Sequence, residues 1–147
     1  MTFKAACVQN CATSDVNHDI GVLSRLIRDA AGQGARFVAT PEYCAGLDTR
    51  DGLLYPVAPE EKDHPVLPAM AELVRELNIW LLIGSIGVRA GDGRINNRSY
   101  MLRPDGGIAA RYDKIHMFDV DLPPGKVYRA SATIAPGDEA VISPCAE

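Results

Sequence analysis

Ile79-Trp-Leu-Leu-Ile-Gly-Ser-Ile-Gly-Val88 is the stretch whose reading decides the fold. It is nearly continuous apolar sequence with no proline. A half-exposed strand would alternate apolar and polar residues, and an amphipathic helix would repeat every three to four. This run does neither. It predicts a strand buried on both faces, as in a parallel sheet with layers on either side. Its longest uninterrupted apolar part, Ile79–Ile83, is far too short to span a bilayer.

Working outward, Met70, Leu73, Val74 and Leu77 form one helical stripe just upstream. That helix is expected to start near Pro65, since proline is tolerated in a first turn. Residues 43–63 are rich in Gly, Asp and Pro and read as a loop. Before them, Ala35–Thr40 reads as a strand stopped by Pro41. An earlier helix places Val16, Ile20, Leu23, Ile27 and Ala30 on one face. Thr13, Ser14 or Asp15 can cap it, and Gly32 and Gly34 suit its end. Ala5–Gln9 is a first short strand. Downstream, Ser99–Arg103 and Ile108–Tyr112 flank Pro-Asp-Gly-Gly, a hairpin signal. From Asp113 the chain reads as irregular. The order β-α-β-α-β plus a hairpin implies an α/β layered fold.

The 147 residues are 47% hydrophobic and 23% charged, which suits one globular unit with a real core and excludes disorder. The net charge of -4 argues against nucleic acid as a partner. The first residues carry no apolar run behind Lys4, so no signal peptide is expected and a cytoplasmic location is. Cys7, Cys11, Cys44 and Cys145 form no close C-x-x-C pair, and with only His18 nearby a zinc site is not expected. The long spacings read as reduced thiols. No Gly-x-Gly-x-x-Gly or Walker-type motif supports nucleotide binding.

In layered α/β folds, functional groups gather past the C-terminal ends of strands. Glu42 follows one such strand and Lys114 follows the hairpin. At the edge of an apolar strand, Glu42 should be partly desolvated, with a raised pKa suited to a general base. Lys114 could offset charge on a developing oxyanion. A solvated loop carboxylate and a surface lysine are the bland alternatives. His116 reads as a hydrogen-bonded structural histidine, and Met117 and Phe118 as packing residues.

Four stretches occur in order: Ala5-Ala-Cys-Val-Gln9, Phe37-Val-Ala-Thr-Pro-Glu42, Asn97-Arg-Ser-Tyr-Met-Leu-Arg-Pro-Asp-Gly106, and Arg111-Tyr-Asp-Lys-Ile-His-Met-Phe-Asp-Val-Asp-Leu122. The series resembles the nitrilase superfamily of carbon–nitrogen hydrolases from about Lys4 to about Glu139. Its Phe-Asp-Val-Asp-Leu continuation is most similar to the branch that includes omega-amidase and deaminated glutathione amidase. The resemblance implies one partial domain over residues 1–147, the N-terminal half of a four-layer α-β-β-α sandwich. It implies a Cys-Glu-Lys mechanism that hydrolyses a small amide, with Glu42 as general base and Lys114 as oxyanion stabiliser. It implies no cofactor and no metal, and a homo-oligomer.

The sequence departs from that pattern twice. The family's nucleophile lies in a Gly-x-Cys-Tyr-Asp type block, and none is present. Cys145, in Ile142-Ser-Pro-Cys-Ala-Glu147, lacks those flanks, and neither Cys44 nor Cys7 matches a nucleophile position. Relatives also often carry a second glutamate in the stretch where Gly125-Lys-Val-Tyr-Arg-Ala-Ser131 places Ala130. Two expectations follow: a carbon–nitrogen hydrolase whose nucleophile block is missing, or a truncated, non-catalytic remnant with no turnover of its own.

Overall fold

A computed structural model describes residues 2–50 and 53–143. Strand β1 (Ala5–Cys7) leads into helix α1 (Val16–Gly32), then β2 (Phe37–Ala39). A hairpin of β3 (Leu47–Arg50) and β4 (Leu53–Pro56) and a short 3-10 turn (Glu61–Asp63) precede helix α2 (Val66–Leu77). Strands β5 (Trp80–Arg89), β6 (Ile95–Leu102) and β7 (Ile108–Asp113) follow. A second hairpin, β8 (Asp119–Leu122) and β9 (Lys126–Arg129), precedes the short β10 (Ile134–Ala135). No described helix is long and apolar enough to cross a membrane.

The main sheet runs β1-β2-β5-β6, with β7 and β10 sharing the outer edge of β6. β1, β2 and β5 are parallel, joined through α1 and α2. β5 and β6, and β6 and β7, are antiparallel. The decisive strand is therefore central but mixed in its pairing. The turn that reverses it, Ala90–Arg94, is a two-glycine loop in which Asp92 Oδ1 accepts from Arg94 N at 3.0 Å.

The helices form for the reasons the spacing gives. Asp15 caps α1, its carboxylate accepting from the backbone N–H groups of Asn17 and His18 at 3.0 Å. Leu23 and Ile27 are fully buried, with Val16, Ile20 and Ala30 packed beside them. α2 begins directly after Pro65 and buries Val66, Met70, Leu73 and Val74. Asn78 closes it in the left-handed conformation, φ 51°. Both helices share one core cluster with Val38, Leu81, Ile83, Tyr100 and Leu102 of the sheet. Their outer sides are linked by an Arg28–Glu76 ion pair.

Successive strand residues face opposite ways. Ala5, Phe37 and Trp80 form one register row on the face away from the helices, and Cys7, Ala39, Leu82 and Met101 form the next. Trp80, Leu82 and Gly84 are half-buried, so the expected cover on both faces of β5 is absent over its first half. Over Ser85–Val88 the burial is continuous, because the segment after β4 crosses there. A Cβ on Gly87 would lie 2.9 Å from the carbonyl oxygen of Val57.

Two loop readings are corrected. Residues 43–63 contain the β3–β4 hairpin and the 3-10 turn, and the chain beyond Asp113 contains β8, β9 and β10. Each strand of both hairpins is only four residues long, too short for a period to register.

Candidate active site

The Glu42 loop is shaped by a bulge in β5. The β5–β6 register shifts between Ile83 and Ile86, and Gly84 and Ser85 occupy the irregularity. Gly84 N–H donates to Thr40 Oγ1 at 3.1 Å, and Ser85 N–H to the Pro41 carbonyl at 3.3 Å. In return, Ser85 Oγ accepts from Tyr43 N–H at 2.8 Å, and the Ser85 carbonyl accepts from Cys44 N–H at 3.0 Å. Tyr43 is held at φ 47°, a strained value for a residue with a bulky side chain. From the other side, buried Asp19 accepts from Gly46 N–H at 2.9 Å and from Thr13 N–H at 3.0 Å. The loop is thus latched front and back, with Glu42 projecting from its crest.

Lys114 is fixed with equal care. Its backbone N–H donates to the Asn97 carbonyl at 3.0 Å, and its carbonyl accepts from Gly137 N–H at 2.9 Å. Asp113, just before it, takes a bidentate grip from Arg98, at 2.7 Å and 2.8 Å. Arg98 also donates to Glu61 at 2.7 Å, and Arg111 donates to the same carboxylate at 2.8 Å. Burial pushes the Glu61 pKa up, but hydrogen bonds from Arg111 and Arg98 outweigh it, so Glu61 is held below the usual carboxylate range.

Glu42 and Lys114 meet across 72 residues of sequence: Lys114 Nζ donates to Glu42 Oε1 at 2.8 Å. Asn97 Nδ2 donates to the same oxygen at 2.7 Å. Sequence reasoning singled out the first two residues and missed Asn97. An asparagine inside a strand carries no signal of its own; only its position opposite the Glu42 loop reveals it.

The expected rise in the Glu42 pKa is not what the site produces. Its side chain is 55% exposed. Burial does push the value up, but the hydrogen bonds from Lys114 and Asn97, with the Lys114 charge, bring it net below the usual range. The carboxylate is ionised at neutral pH and ready to accept a proton. Tyr43, buried beside it, has its phenol pushed upward by burial and by the Glu42 charge.

The pair opens into a cleft of about 630 Å³. Leu53, Leu54 and Tyr55 from β4 wall one side, and Met117, Phe118, Tyr128 and Ala130 wall another. Phe118 and Tyr128 meet edge to face, with ring centroids 5.7 Å apart. Met117 and Phe118 therefore line the cleft, and Phe118, 63% exposed, is not the packing residue expected. His116 is exposed and makes no hydrogen bond to a described residue, contrary to the structural role expected for it.

No described cysteine lines this cleft. Cys44, two residues past Glu42, is 1% exposed and turned into the core. Burial, aided by the Asp19 charge, pushes its thiol up to about 11, against thiolate formation. Cys7 and Cys11 are exposed elsewhere. Cys145 lies outside the described residues. Among those described, no three His, Cys, Asp or Glu side chains are placed to hold a metal ion.

The chain matches the carbon–nitrogen hydrolase family model over residues 4–146. It is 33% identical to omega-amidase NIT2 of Homo sapiens over 138 residues, covering 93% of this chain and 49% of that protein. It is 32% identical to the chloroplastic omega-amidase of Arabidopsis thaliana over 145 residues, covering 95% of this chain and 38% of that protein. It thus spans about half the length, or less, of these relatives. Its fold superposes on the C. elegans NitFhit protein with a TM-score of 0.75, at 22% identity, over 93% of this chain and 34% of that one. An amidase from Nesterenkonia sp. gives 0.71 at 20% identity, over 93% of this chain and 49% of that one. With the α/β fold they share and the family match over nearly its whole length, the chain belongs to the carbon–nitrogen hydrolases of the nitrilase superfamily.

Proposed function

We propose that this chain carries the proton-transfer and oxyanion-stabilising half of a site that hydrolyses a small amide to acid and ammonia. The observation that carries this reading is the 2.8 Å contact of Glu42 with Lys114 at the mouth of one cleft. In the reaction, Glu42 takes the proton of an attacking thiol as its sulfur adds to the amide carbon. The carbonyl π electrons move to oxygen, and the Lys114 ammonium, with N–H bonds not spent on Glu42, offsets that charge. Glu42 then returns the proton to the departing nitrogen, ammonia leaves, and a thioester remains. Water, deprotonated by Glu42, releases the acid and restores the thiol.

The omega-amidase names of the relatives point to omega-amides of dicarboxylic acids as substrates. Residues 1–147 act as one unit in this reading, and the uncovered sheet face fits assembly with further copies. A second reading, a remnant without turnover, is favoured by two observations: no described thiol lines the cleft, and Ala130 stands in its wall. Ammonia release from a panel of omega-amides, carbamoyl compounds and nitriles separates the two. Turnover that falls about 1,000-fold in Glu42→Gln and in Lys114→Met supports hydrolysis by this pair. Absence of ammonia from every compound, with the chain folded, overturns turnover by this chain and leaves the remnant.

A further inference from the structure

Asn97 reaches both members of the pair from one position. It is the third residue of β6 and is 4% exposed. Its side-chain amide donates to Glu42 Oε1 at 2.7 Å, while its backbone carbonyl accepts from Lys114 N–H at 3.0 Å. The oxygen it touches is the one that also accepts from Lys114 Nζ. Glu42 Oε1 therefore takes two short donors, and Oε2 takes none among the described residues. A carboxylate on a loop crest, open to solvent, would otherwise turn freely about its last torsion. Two donors, one within β6 and one just past the end of β7, fix its plane.

We infer that Asn97 is a positioning residue that clamps one oxygen of Glu42 and so commits the other, Oε2, to receive protons in the cleft. The amide suits this task because it is a donor at every pH and cannot compete as a base. The clamp stands on geometry alone; its catalytic consequence rests on the proposed role of Glu42.

The test is carboxyl titration of Glu42, followed by NMR with carbon-13 glutamate, in wild type, Asn97→Ala and Asn97→Asp. Loss of the donor in Asn97→Ala moves the Glu42 midpoint upward. Asn97→Asp keeps the shape but sets a like charge against Oε1, and the midpoint moves further upward. If Asn97→Ala does not fold, the near-isosteric Asn97→Asp still decides. A purely structural role lowers the melting temperature and leaves the midpoint where it was, and that result overturns the clamp. Where wild type releases ammonia, Asn97→Ala lowers kcat by about 10- to 100-fold with KM nearly unchanged; an unchanged kcat removes the catalytic consequence. Wild type that releases no ammonia removes the base role and leaves the clamp to the titration. The two failures are therefore separable.

Discussion

Gly84→Ala lowers the melting temperature by roughly 5–10 °C and draws Glu42 away from Lys114. A methyl group on Gly84 would overlap the carbonyl oxygens of Thr40 and Pro41. Both are backbone atoms, so no rotamer change relieves the clash. The cost falls at the upper end of overpacking, about 2–3 kcal/mol. Relief requires the Thr40–Tyr43 loop to lift off β5, breaking the bonds to Gly84 and Ser85 that aim Glu42. The matched control is Gly91→Ala: a Cβ there meets nothing within 4 Å. It should change stability by no more than about 0.5 kcal/mol. Thermal melts of the two variants check this, and equal melting temperatures would contradict the cradle.

Asp19→Ala has a comparable or larger effect from the opposite side of the same loop. Asp19 is 1% exposed and accepts from Thr13 N–H, the Thr13 hydroxyl and Gly46 N–H. Alanine takes the acceptor from the buried Gly46 N–H and from the Thr13 N–H, while the exposed Thr13 hydroxyl keeps the Asp15 carbonyl, at about 2–4 kcal/mol in total. It also removes a negative charge from the first turn of α1, where the helix dipole favours it. Asp19→Asn restores one acceptor oxygen and should lose visibly less. Denaturant unfolding of the three proteins gives the ranking wild type, Asn, Ala. An Ala variant within about 0.5 kcal/mol of wild type would show that Asp19 is not the latch.

These two positions show what the sequence makes readable. Helix faces repeat over many residues, so Leu23, Ile27, Met70 and Leu73 declare themselves as core. Ile79–Val88 declares an inner strand because so few polar residues interrupt it. Glu42 and Lys114 could be singled out because each follows a strand end within a distinctive motif. Gly84 looked like one more small residue in an apolar strand, yet it holds the bulge that aims Glu42. Asn97 and Asp19 act through partners 55 and 27 residues away, and no local period encodes such a distance. The direction of the Glu42 pKa was misread for the same reason. Desolvation can be guessed from a neighbouring apolar strand, but the Asn97 donor that helps reverse it is a tertiary fact.

Zero-length carbodiimide coupling tests the meeting of Glu42 and Lys114 most directly, because it joins a carboxylate to an amine only where the two already touch. With the folded chain at neutral pH, peptide mapping by mass spectrometry should find an isopeptide between Glu42 and Lys114, formed with loss of one water and absent from Glu42→Gln and from urea-unfolded chain. A folded chain in which Lys114 couples only to other carboxylates, or not at all, would mean that the acid and the amine stand apart, and the site described above does not exist.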